Sequence, residues 1–194
     1  MVLKFSFASA LAALAVAGSA RAAVLNVVGG ELLGASGVDV NGTLYDVLFD
    51  GGSCASMFDG CDETADFGPF AGDEVAALAA AQALLDQVLI DGPEGMFDSQ
   101  PNLVAGCGLP QSCAVRIPYQ MDGPSWEGAL ANNVWSGSMT SDIVVTSTSG
   151  PGSINSPGST LAVFTPVAAV PLPASGVLGL AGLAALGMAT RRRS

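Results

Sequence analysis

GVDVNGTLYDVLF, residues 37–49, is the stretch whose reading decides the fold. Asn41-Gly42 stands between two arms rich in β-branched and aromatic residues. A type I′ turn needs positive φ at both central positions, and Asn-Gly supplies it with least strain, so the stretch reads as a β-hairpin. Val38, Val40, Leu44, Val47 and Phe49 are its packing candidates. Asp39 and Asp46 point outward or mark a frayed edge.

Upstream, VLNVV at residues 24–28 reads as a first strand, set off by Gly29-Gly30. Downstream, residues 50–72 are rich in Gly and Asp and read as a loop. DEVAALAAAQALLDQVLID, residues 73–91, is a helix: Asp73 caps it, Glu74 suits the positive end of its dipole, and Gly92-Pro93 ends it. Val75, Leu78, Leu85, Val88 and Leu89 recur on one side, with Gln82, Asp86 and Gln87 interrupting. The alanines between them keep the helix slim enough to lie close on a sheet. Residues 92–108 form another loop. Residues 113–119 read as a strand that Pro118 confines to an edge. Residues 120–127 read as a turn-rich connection and residues 133–138 as a short strand around Trp135. Residues 142–148 and 160–166 are two more β-type runs, separated by a flexible loop. The expected fold class is α+β: a small antiparallel β-sheet packed on one main helix, antiparallel because the connections lack helices.

Charge narrows the function classes. The chain has 194 residues, 12% of them charged, 17 acids, six basic residues and no histidine. Every acid lies between Glu31 and Asp142, an interval whose sole cation is Arg116, so the central region carries a net charge of about −16. Such a body repels phosphate backbones, and nucleic acid is excluded as a partner. Without histidine there is no Ser–His–Asp or Cys–His activation, no HExxH hydrolysis and no imidazole metal site. No P-loop motif is present. No catalytic, metal or cofactor-binding residue is assigned, and no cofactor is expected.

Three weaker readings stand beside this one. Asp50, Asp59, Asp62, Glu63 and Asp66 offer hard oxygen ligands for calcium, without EF-hand spacing. Two facing carboxylates would suit a glycoside hydrolase, a requirement that 17 acids meet by chance. Trp126 and Trp135 would suit sugar stacking, or plain packing.

Residues 1–22 read as a signal peptide: a basic start at Lys4, a short apolar run over residues 5–17, and a small-residue end. Ala20-Arg21-Ala22 fits the A-x-A pattern and places cleavage between Ala22 and Ala23, with cleavage after Ala20 as the runner-up. The body, residues 23–166, therefore matures in an oxidising compartment. Cys54, Cys61, Cys107 and Cys113 lack zinc-knuckle spacing and the C-x-x-C redox motif, so they read as disulfides. Four cysteines allow three connectivities, of which the local pairs Cys54–Cys61 and Cys107–Cys113 are favoured.

Residues 167–194, VAAVPLPASGVLGLAGLAALGMATRRRS, form the last part. The apolar stretch is long enough to cross a hydrocarbon core of about 30 Å as a transmembrane helix, with Pro171 and Pro173 keeping its start extended. Arg191, Arg192 and Arg193 stop it on the cytoplasmic side. A proline motif, an apolar span and a basic end, in that order, resemble the PEP-CTERM class of sorting signals in its VPLPA variant, matched by Val170, Pro171, Leu172, Pro173 and Ala174. The resemblance covers about the last 25 residues and implies processing by an exosortase-type enzyme near the motif. It also implies association with exopolysaccharide or biofilm. Leu172 to Gly176 is similar to a sortase signal with Ser175 where threonine is expected, and a permanent single-span anchor is the plainer alternative. The body is similar to uncharacterised ectodomains ahead of such signals, which carries no activity with it.

The chain is thus expected to be an exported, non-enzymatic surface or extracellular-matrix protein, held at the membrane with its body outside and then released. A calcium-stabilised module binding carbohydrate or protein is the alternative, and a secreted carboxylate hydrolase the third choice.

Overall fold

The computed structural model describes residues 22–135, 137, 141–150 and 156–168. The expectations placed on residues 1–21 and 169–194, namely the bulk of the signal peptide, the Val170–Ala174 motif, the transmembrane helix and the three arginines, lie outside the described residues. Among those that are described, no helix is long and apolar enough to cross a membrane.

The hairpin that opens the reading is present. β2 (Glu31–Val40) and β3 (Thr43–Asp50) pair antiparallel, closing on Val40 opposite Thr43. Asn41 and Gly42 both take positive φ, 53° and 87°, as a type I′ turn demands. Gly29-Gly30 makes a second such turn, with φ of 63° and 90°, so β1 (Val24–Val28) joins as a third meander strand.

A short helix α1 (Cys54–Met57) and a 3-10 segment (Thr64–Phe70) broken at Gly68 occupy the region read as loop. Ser53 caps the first, and the Asp66 carboxylate closes the start of the second by accepting from the amides of Asp62 and Glu63. Local side-chain caps therefore ordered what composition alone marked as irregular. The longer helix α2 (Glu74–Gln87) follows, capped by Asp73, whose Oδ1 accepts from the Ala76 amide at 2.9 Å. It stops at Gln87 rather than at Gly92, because Gly92-Pro93 is already inside a miniature hairpin of β4 (Asp91–Gly92) and β5 (Gly95–Met96). A 3-10 turn at Pro101–Leu103 lies beyond it.

The remaining strands are β6 (Ser112–Asp122), β7 (Ser125–Val134), β8 (Ile143–Ser149) and β9 (Ser159–Pro166). The seven-stranded sheet has the order β1-β2-β3-β9-β6-β7-β8. Two expectations are corrected here. The sheet is not wholly antiparallel: β9 enters its centre, antiparallel to β3 and parallel to β6. No helical crossover is needed, since β7 and β8 carry the chain back. β6 is also interior rather than at an edge. Pro118 is accommodated because the parallel pairing ends at Arg116 opposite Leu161, and a bulge between Pro118 and Gln120 loosens the pairing with β7. The connection expected over residues 120–127 is likewise strand, turned only at Gly123-Pro124. Of the strand expected over residues 133–138 only Asn133 and Val134 are strand, as the end of β7, with Trp135 just beyond it.

The main core lies between α2 and one face of the sheet. The packed face of α2 is made by Ala77, Ala80, Ala81 and Leu84, at i, i+3, i+4 and i+7, and is continued by Val88 just past the helix end; all five are buried. Val75, expected on that face, is 76% exposed. Small residues win because the backbone of α2 comes close to β6 and β7. Gln87, read as an interruption, grips the sheet instead: its side chain accepts from the Asp39 amide at 3.0 Å and donates to the Asp39 carbonyl at 2.8 Å. On the other face, α1 and the 3-10 segment cover a smaller core of Phe58, Phe67, Trp126 and Leu161. Phe70, three residues on, turns back to the main core beside Tyr45 and Phe164.

Both local disulfides form. Cys54–Cys61 clasps the cap over the smaller core, and Cys107–Cys113 ties the segment before β6 to the main core, each with a Cα separation of 5.6 Å. They are consistent with an oxidising, extracytoplasmic setting.

Candidate functional site

An open groove of about 340 Å³ lies beside the start of α2, lined by Glu74, Tyr119, Glu127, Thr146, Ser147 and Thr148. The strand pattern explains the lining. On β7 and β8 alternate residues face α2, so Glu127 stands opposite Thr148, and Thr146 lies two residues along. Tyr119 is the extra residue of the β6 bulge, which turns its ring toward α2. Its carbonyl accepts from the Gly72 amide at 2.6 Å, anchoring the chain just ahead of α2 and bringing Glu74 to the rim.

The Tyr119 hydroxyl donates to Glu127 Oε2 at 3.2 Å. Burial, then the charges of Glu127 and Glu74 and that hydrogen bond, push the phenol up to about 12. At neutral pH it is a fixed proton donor committed to a carboxylate, not a base or a nucleophile. The groove presents carboxylate and hydroxyl oxygens, which suits a ligand rich in hydrogen-bond donors.

Arg116 belongs to the opposite face. It reaches past β7 to β8, where Nη1 donates to Ser147 Oγ at 3.0 Å and Ser149 Oγ at 2.9 Å. Its Nε is buried without a partner, and burial lowers the pKa of the guanidinium from its ordinary value. Arg116 thus supports β8 from behind and offers nothing to a ligand in the groove.

The acids proposed for calcium are not brought together. Asp66 is spent on the amides of Asp62 and Glu63, and Asp50 on the amide of Gly52. Among the described residues, no group of three or more acidic or cysteine side chains is placed to hold a metal ion. A different acidic corner forms beyond α2. Burial opposes charge on Asp91, yet the Ser99 hydroxyl and the Ser99 and Asp98 amides outweigh it and lower its pKa. Asp98 moves the other way, raised by burial and by the charges of Asp142 and Asp91.

The two tryptophans part company. Trp126 is fully buried in the smaller core, and Trp135 is 44% exposed at the end of β7, so they form no shared stacking surface. The groove residues had no distinctive motif. Glu74 stood out only as a helix-end charge and Tyr119 as the end of a strand; the one usable signal was the two-residue spacing of Thr146 and Thr148.

Comparison with protein-family models, with curated proteins and with solved structures finds no match to this chain.

Proposed function

We propose that this chain is an exported, non-enzymatic surface or extracellular-matrix protein, sorted through a VPLPA/PEP-CTERM-like signal at Val170–Ala174 and associated with exopolysaccharide. The body, residues 23–166, is held outside the membrane by the apolar span and by Arg191, Arg192 and Arg193 until an exosortase-type enzyme releases it. The observation that carries the reading is a sequence order: an export signal first, a cysteine-bonded body next, and a proline motif, apolar span and basic end last. The two disulfides support it, because such bonds persist in oxidising compartments. The mass of the intact extracellular protein tests it. Loss of residues 1–22 and of the chain beyond the proline motif is expected; a species running through Ser194 rules out exosortase processing.

A second reading, a surface module that binds carbohydrate, is favoured by the groove at Glu74, Tyr119 and Glu127. Neutral oligosaccharides titrated against the protein by NMR would then give saturable shifts at Thr146 and Thr148, abolished in Glu127→Gln. Unmoved resonances dismiss this reading.

A further inference from the structure

The two edges of the seven-stranded sheet share an unusual composition. β1 reads VLNVV and β8 reads IVVTSTS; neither holds a charged residue or a proline. Natural sheets protect such edges with lysines, prolines, inward-pointing charges or a covering element. Here the acids lie elsewhere, the body has no lysine, and among the described residues β1 pairs only with β2 and β8 only with β7.

Strand direction makes the two edges complementary. Following the pairings across the sheet, β1 and β8 run in opposite directions. A copy displaced along the sheet, without rotation, brings its β1 beside β8 of the first copy in an antiparallel pair. The side chains also match. Leu25 and Val27 of β1 pack toward the main core, so Val24 and Val28 face away from α2. Val144 of β8 packs toward the same core, so Ile143 and Val145 also face away from α2. These four are 68%, 61%, 49% and 37% exposed in the single chain. At the joint they would lie on one face as cross-strand neighbours, where such apolar pairs stabilise a sheet.

We propose that the partner for both edges is a second copy of this chain, with β8 of one molecule pairing antiparallel with β1 of the next. The contact is heterologous, so each joined pair still presents one free β1 and one free β8, and the sheet extends through successive molecules.

Two edge-blocking variants test this, with the protein purified in the form in which the cell exports it. Asn26→Lys places a charge on exposed β1, and Val145→Lys does the same on β8; Ile143→Lys replaces the latter should its melting transition be lost. Sedimentation equilibrium of the unaltered protein should show a mass that rises with concentration beyond the dimer. Each variant alone should remain monomeric. Mixed in equal amounts they should form a dimer and nothing larger, because Asn26→Lys keeps β8 and Val145→Lys keeps β1. A single mass for the unaltered protein at every concentration overturns the proposal, as does a variant that dimerises with itself.

Discussion

Tyr119 and Glu127, on neighbouring strands, are locked by a 3.2 Å hydrogen bond in which the phenol donates to the carboxylate, with Glu74 facing them from α2. The phenol stays protonated up to about pH 12 when folded, against an unfolded value near 10, so folding favours the neutral form. The stability this confers is complete below the unfolded pKa and is lost as pH rises through the folded one. Spectrophotometric titration should therefore show one of the two tyrosines ionising near pH 12, a transition absent from Tyr119→Phe. Glu127→Gln should bring that ionisation down, because one of the charges holding the proton is gone.

Asp98 carries the opposite kind of shift. Burial and the charges of Asp142 and Asp91 raise its pKa, so the folded state holds the proton more tightly than the unfolded chain does. Its charged form costs stability at neutral pH, and that cost shrinks as the pH falls through the raised pKa and is gone below the unfolded value. Asp98→Asn should raise stability at pH 7, with the difference vanishing in acid. Denaturant melts at both pH values check this; an unchanged or lowered midpoint at pH 7 contradicts it.

The two disulfides close short loops, and the chain-entropy model assigns about 2.5 kcal/mol to each. Replacing Cys107 and Cys113 together by alanine should lower stability by that order and loosen the segment ahead of β6. Replacing Cys54 and Cys61 should instead loosen the cap over Trp126, seen as a change in its fluorescence, because the two bonds serve opposite faces of the sheet.

What the sequence makes legible here is local chemistry. Asn41-Gly42 announces its turn because few residues accept its backbone, and Asp73 announces a helix start because its carboxylate serves the Ala76 amide. Pairing at a distance is not written that way. Nothing within residues 160–166 says that β9 will enter between β3 and β6, and that insertion alone makes Pro118 an interior residue. Gln87 looked like a break in an apolar stripe, yet it is the clasp between α2 and Asp39, a contact between residues 48 apart. The groove was hidden for the same reason, since a bulge at Tyr119, a helix end at Glu74 and two strands meet there.

The central claim concerns export and sorting, and intact mass of the protein recovered outside the cell tests it most directly. The account predicts a chain that begins at Ala23, ends close to Val170–Ala174, and is four hydrogens lighter than its reduced sequence because both disulfides are formed. An extracellular species that retains the chain through Ser194 would contradict it.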